Sequence, residues 1–167
     1  MNLTKQQVLQ AIYKEFSSRK VERFTLSDLS RISDVSRNSI YYNFECLDYV
    51  YKAAYEQMIL TETIENSKTI EDFFTNLITC MAENKNFCLS LYHCTSMIVD
   101  DKQLLTALNK ILMHYGERDY SNKEYLIMSF IYILKAWLDK GLRGDEQKII
   151  MNLKAYMRLI RKMRWYE

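Results

Sequence analysis

Residues Thr25–Phe44 read TLSDLSRISDVSRNSIYYNF, and the reading of this stretch decides the fold. Thr25 with Asp28 three residues on is a box-like helix cap, in which each side chain can satisfy an orphan backbone donor of the first turn. Phe24 is placed to staple onto Leu29, and Leu26, Leu29 and Ile32 form an inward face. Ser33-Asp34 interrupts the pattern. Ser36 restarts a helix, with Val35 stapling onto Ile40. Two short capped helices around a tight turn are the layout of a helix-turn-helix. In that motif the second helix enters the major groove and its first turns meet the bases. Arg37, Asn38, Ser39, Tyr41, Tyr42 and Asn43 on the second helix can all hydrogen-bond, while Ile40 and Phe44, four apart, anchor inward. Arg and Asn reach guanine and adenine edges bidentately, and hydroxyls suit phosphates. The free amides at the helix start also favour an anion.

Helical periodicity extends in both directions. Upstream, Thr4 with Gln7 reads as a capping box ahead of the stripe Val8, Ala11, Ile12 and Phe16. Downstream, a fourth helix is expected from about Leu47 to about Glu62, with Leu47, Val50, Tyr51, Ala54 and Met58 on one face. Thr69 caps a fifth, striped by Ile70, Phe73, Phe74, Leu77, Ile78 and Met81. A sixth carries Phe87, Cys88, Leu91, Tyr92 and Thr95. A seventh starts at Asp100 or Asp101 and ends near Gly116. Ser121 and Glu124 suggest a capping box for an eighth, stopping at Lys140-Gly141, and Asp145 caps a ninth that reaches about Arg164. The expected fold is therefore all-α: a three-helix helix-turn-helix domain over residues 1–46, then a six-helix bundle over residues 47–167.

Composition agrees with this architecture. Pro is absent and Gly occurs three times, which argues against turn-rich β folds and glycine-rich phosphate loops. Hydrophobic residues make up 49% of the chain, enough for a sizeable core and against wholesale disorder. The net charge is +2, so any anion-binding surface has to be local. Residues 1–50 hold seven basic against six acidic side chains, a weak field for one copy, and phosphate contacts would accumulate with two. The four cysteines form no C-x-x-C pair and read as reduced thiols in a cytoplasmic protein. No signal-peptide pattern opens the sequence, and the apolar run Leu126–Leu134 is too short to span a bilayer, so no membrane partner is expected. No nucleophile elbow, P-loop or dinucleotide fingerprint supports an enzyme. Cys88, His93 and Cys94 invite a metal reading, but six residues along a helix put the two thiols on different faces. We expect neither metal nor cofactor.

The residues around the helix-turn-helix resemble the DNA-binding domain of TetR-family transcriptional regulators. That family typically shows Thr opening its second helix, Val-Ser before the third, and Thr-Leu/Ile-Tyr-Tyr-x-Phe within it. This chain has Thr25, Val35-Ser36, Ser39 and Ile40-Tyr41-Tyr42-Asn43-Phe44. Ile12 and Phe16 match first-helix core positions, and WLDKGL (Trp137–Leu142) resembles the family's segment before its final helix. A looser likeness points to regulators of the dihydroxyacetone-kinase activator type. The resemblance implies that Arg37, Asn38, Ser39 and Tyr41 meet bases or nearby phosphates. It places Tyr42, Asn43 and Thr25 on the sugar-phosphate backbone of double-stranded operator DNA, with helix packing the other reading for Tyr42. It further implies a small-molecule effector of unknown identity in the larger domain and a homodimer through the last two helices, acting as a repressor. The eighth helix, apolar nearly all round from Leu126 to Leu138, has surplus surface for such a dimer, and paired half-sites about 34 Å apart require one. The polar residues within apolar stripes are Cys80, Tyr92, His93, Thr95 and Tyr132, each more naturally a packed residue than an effector contact.

Departures from the family pattern are Ser33-Asp34 where Ala-Gly is usual, Asn38 where Gly is common, and Cys46-Leu47 where a Ser/Asn cap and a phosphate-binding Lys are expected. They leave open a second function, a protein-interaction co-regulator with a TetR-like dimer fold and weak or no DNA binding of its own.

Overall fold

The computed structural model describes residues 2–95 and 100–164. Every regular element among them is helical: α1 (Leu3–Ser18), α2 (Leu26–Ser33), α3 (Arg37–Phe44), α4 (Leu47–Tyr55), α5 (Glu62–Glu65), α6 (Ile70–Glu83), α7 (Lys85–Cys94), α8 (Asp101–His114), α9 (Met128–Asp139) and α10 (Glu146–Lys162). A π-helical stretch, Glu56–Thr61, joins α4 to α5, and a 3₁₀ turn, Glu124–Leu126, precedes α9. The chain divides into two compact units, Met1–Glu62 with Glu83–Val99 and Thr63–Ala82 with Asp100–Glu167. The unit holding the helix-turn-helix is thus larger than residues 1–46. It includes α4 and the π-helical stretch, and α7 returns to it. Among the described residues no helix is long and apolar enough to cross a membrane.

In the first unit Val8, Leu9, Ile12 and Phe16 are buried along α1. They occupy the a/d-like spacing that brings one helical stripe to a core. The cap of α1 is Asn2, not Thr4: its side chain accepts the Lys5 amide at 2.8 Å. Asn is among the best N-caps, and Gln7 is used elsewhere, donating from its side-chain amide to the Ser33 carbonyl at 2.7 Å. α7 packs on α1 through the Tyr13–Phe87 edge contact, ring centroids 5.0 Å apart, and the Tyr13 hydroxyl donates to Asn84 Oδ1 at 2.7 Å. Fully buried Ser90 takes the Val21 amide at 2.8 Å. This side chain supplies an acceptor that the irregular segment after α1 cannot find in a ladder. The buried residues run Val50, Tyr51 and Ala54 along α4, then Ile59 in the π-helical stretch. The five-residue step from Ala54 to Ile59 is the i→i+5 widening of a π turn. It substitutes Ile59 for the expected Met58 as the inward residue.

In the second unit α6 buries Ile70, Phe73, Phe74, Leu77, Ile78 and Met81. Phe74 stacks on Phe130 of α9 at 5.1 Å, and Phe130 meets Tyr156 of α10 edge-on at 5.1 Å. Asp100 caps α8 and Asp145 caps α10, where a carboxylate also meets the positive end of the helix dipole. The expected Ser121–Glu124 capping box does not form, and α9 begins later, at Met128. Asp119 instead accepts the Ser121 amide at 2.9 Å and the Asn109 side-chain amide at 2.7 Å, while Asn109 Oδ1 accepts the Tyr120 amide at 2.8 Å. The buried Asn109 thereby fixes the turn that a cap was expected to fix. Arg161 near the end of α10 bridges Glu71 of α6 and Glu117 after α8.

Candidate nucleic-acid interface

The helix-turn-helix forms as its caps dictate. Thr25 Oγ1 accepts the Asp28 amide at 3.2 Å and Asp28 Oδ2 accepts the Thr25 amide at 2.9 Å, the full reciprocal box. The bonds from Thr25 hold the Asp28 carboxyl below its ordinary range. α2 ends at Asp34, whose backbone is left-handed at φ 54° and ψ 33°. Asp visits this region more readily than most residues, so the turn survives without the usual glycine. The Ser30 hydroxyl donates to the Val35 carbonyl at 2.7 Å across the turn. Ser36 then caps α3 by accepting the Ser39 amide at 3.2 Å. Ile40 and Phe44 are buried as expected.

α3 leaves through a strained corner that no sequence signal announced. Glu45 has φ 64° and ψ −47°, and the Cys46 amide donates to the Phe44 carbonyl two residues back at 2.7 Å. This is the rare γ-turn with positive φ. Cys46 follows as the N-cap of α4 and makes no side-chain cap bond, so the usual cap is lost in fact as well as in sequence.

The seven candidate residues share this one element pair but differ in what their side chains already do. Arg37 and Asn38 are exposed at the start of α3. Tyr41 is 53% and Tyr42 90% exposed, so Tyr42 does not serve helix packing. Ser39 is half-buried. Asn43 is already engaged: its Nδ2 donates to the Ser39 carbonyl at 2.8 Å and its Oδ1 accepts from Asn2 Nδ2 at 2.8 Å. It ties the second half of α3 to the cap of α1. Thr25 is exposed but holds the capping box. The outward rim therefore offers one guanidinium, one carboxamide and two phenols, a set able to bond base edges and phosphates.

α7 belongs to the same unit, which sequence reasoning missed. Tyr92, His93 and Thr95, considered for the larger domain, lie here, and only Cys80 and Tyr132 of that group lie in the second unit. Thr95 is buried and its hydroxyl donates to Asp48 Oδ1 at 2.9 Å, fastening the end of α7 to the start of α4. The signal was Ser90, a hydroxyl in an otherwise apolar helix stripe. Cys94 donates from Sγ to the Val21 carbonyl at 3.5 Å, and burial pushes its thiol pKa up. Cys88 is buried and His93 exposed. Among the described residues no group of three potential ligands could hold a metal ion.

An all-α chain with a capped helix-turn-helix and a polar second-helix rim is, by class, a helix-turn-helix protein. A family model described as the C-terminal region of transcriptional regulators, TetR_C_8, matches residues 68–159, more than half of the chain. The chain belongs to the TetR family of transcriptional regulators. The match speaks for the family and not for the dihydroxyacetone-kinase activator branch. No curated protein matches the sequence.

Proposed function

We propose that this chain is a homodimeric repressor that binds operator DNA through α3 and is released by a small effector held in its second unit. The observation that supports the reading most is the division of α3. Ile40 and Phe44 are buried, while Arg37, Asn38, Tyr41 and Tyr42 face solvent on one rim. A helix that anchors itself through two buried residues and turns four polar ones outward suits groove insertion. The dimer is supported by apolar surface that the single chain leaves uncovered. Tyr132 on α9 and Met151 and Leu159 on α10 are exposed, and two copies packing these helices together would cover them.

An effector acts only if it prefers one of two conformations. The chain crosses between its units at residues 62/63, 82/83 and 99/100, and these crossings are the routes by which such a preference could reach the reading head. A gel shift against the DNA upstream of the protein's own gene tests the proposal. Tight binding by the wild type that Tyr41→Ala abolishes is the expected result. Absent or salt-insensitive DNA binding together with copurification of a second protein would overturn it in favour of a co-regulator.

A further inference from the structure

α3 has eight residues and buries two of them, Ile40 and Phe44. At about 100° per residue the two lie on nearly one line along the helix. Anchors on one line fix where a helix sits better than how far it rolls about that line. Asn43 provides a contact off the line. It lies about 60° round the axis from Ile40 and about 100° from Phe44, between the buried line and outward Tyr42. Its Oδ1 accepts from Asn2 Nδ2 at 2.8 Å, 41 residues away in sequence. Both carboxamides are oriented by their other ends. Asn2 Oδ1 accepts the Lys5 amide at 2.8 Å, and Asn43 Nδ2 donates to the Ser39 carbonyl at 2.8 Å. A backbone amide only donates and a carbonyl only accepts, so the nitrogen of Asn2 is left to face the oxygen of Asn43. Two side chains already held lose little freedom in meeting. The same turn of α1 places Lys5 Nζ 5.6 Å from the centre of the Phe44 ring, within cation–π range. α1 itself is locked by four buried residues, Val8, Leu9, Ile12 and Phe16, so its first turn is a fixed reference for α3.

We infer that Asn2 is a positioning residue for sequence reading: it sets the roll of α3 through Asn43, and so the register of Arg37, Asn38, Tyr41 and Tyr42 on the base edges. The inference rests on the reading of α3 as the DNA-facing helix. A roll of about 10° moves the surface of a helix of about 6 Å radius by about 1 Å, more than a bidentate base contact tolerates. Without the tie, only the correctly rolled fraction of the protein binds its sequence at full strength, and the apparent affinity falls by that fraction. Non-specific binding rests on charge and does not depend on the roll.

Asn2→Ser separates the tie from the cap. Ser caps a helix as well as Asn does and leaves the charge unchanged, but its hydroxyl is too short to reach Asn43. The thermal midpoint should stay within about 2 °C of the wild type. A duplex selected by the full-length wild type from a random-sequence library serves as the probe, with its scrambled sequence as control, and binding is read by fluorescence anisotropy. Asn2→Ser should weaken binding to the selected duplex about three- to tenfold, the share of one hydrogen bond, and leave the scrambled duplex and the salt dependence unchanged. In an Asn43→Ala background the same change should add less than about twofold. In the free protein, amide nitrogen relaxation should show added motion along α3 and none along α2. The inference is overturned if the variant binds the selected duplex as tightly as the wild type, if both duplexes lose affinity alike, if the loss repeats in full without Asn43, if the midpoint falls further, or if α3 relaxes unchanged. A wild type that selects no sequence refutes the DNA-facing reading of α3, and the relaxation arm still decides whether Asn2 holds the helix.

Discussion

Replacing Arg161 with Ala should destabilise the second unit by about 2 kcal/mol at pH 7, and the loss should shrink in acid. Arg161 Nε donates to Glu117 Oε1 at 3.0 Å and Oε2 at 3.3 Å, and its Nη1 and Nη2 reach Glu71 and Glu117. The Glu117 side chain is 12% exposed, against 31% for Glu71 and 37% for Arg161. Exposed pairs contribute about 0.2–1 kcal/mol, and breaking a buried pair costs about 3–5 kcal/mol. One carboxylate nearly out of solvent and two groups a third in it place the triad between those limits. The hydrogen bond from Arg161 is the main cause that lowers the Glu71 pKa from its ordinary 4.5. A lowered carboxylate contributes stability that is present above the unfolded value and lost as pH falls through the folded one. The gap between wild type and variant should therefore be full at pH 7 and narrow below pH 4.5. Trp137 is buried in the second unit, so urea unfolding followed by tryptophan emission reports on it. A gap as wide at pH 3 as at pH 7, or below about 0.5 kcal/mol at pH 7, would refute the reasoning.

Asp34→Gly should raise stability by about 0.5–1 kcal/mol, because φ 54° favours glycine; thermal denaturation checks it. Glu45→Gly should act in the same direction at the γ-turn, where φ is 64°, and a lower midpoint would refute the strain reading. Thr25→Ala should cost about 1 kcal/mol through the lost cap, while Thr25→Ser keeps most of it. Tyr132→Glu should leave far-UV circular dichroism unchanged, since the side chain is exposed. In sedimentation velocity it should convert a species of twice 20.1 kDa to one of 20.1 kDa.

The helix-turn-helix was legible because its signals are local. Thr25 with Asp28, Ser36 before Ile40, and Ile40 with Phe44 are all pairs within one helical turn, and the structure realises each of them. The stripes of α6 and the caps of α8 and α10 were readable on the same grounds. What failed depends on partners distant in sequence. Thr4 resembled a cap, but Asn2 stands earlier and Gln7 is drawn to Ser33, 26 residues away. The Ser121–Glu124 box loses to Asn109, whose two bonds reach across the turn from α8. The placement of α7 turns on Ser90 meeting Val21, 69 residues away, and a stripe period cannot say which core a helix will join. The π turn was hidden because Met58 and Ile59 are equally apolar, so the pattern reads as an unbroken helix either way.

The candidate residues of the interface separate into two physical kinds, and this bears on how variants should be read. Thr25 and Asn43 spend their polar atoms inside the protein, on the cap of α2 and on the tie from α3 to Asn2. For either to grip a phosphate it must share or surrender a bond that holds the helix pair in register. The side chains of Arg37, Asn38, Tyr41 and Tyr42 face outward, with no such obligation among the hydrogen bonds described. Changes at the first pair should move stability and DNA affinity together, since they act on the geometry that presents the rim. Changes at the four outward residues should move DNA affinity alone, because a solvated side chain gives up little on the folded protein when it is removed. A residue of the outward four whose loss unfolds the chain would show that the rim is structural, and the reading head would then have to lie elsewhere.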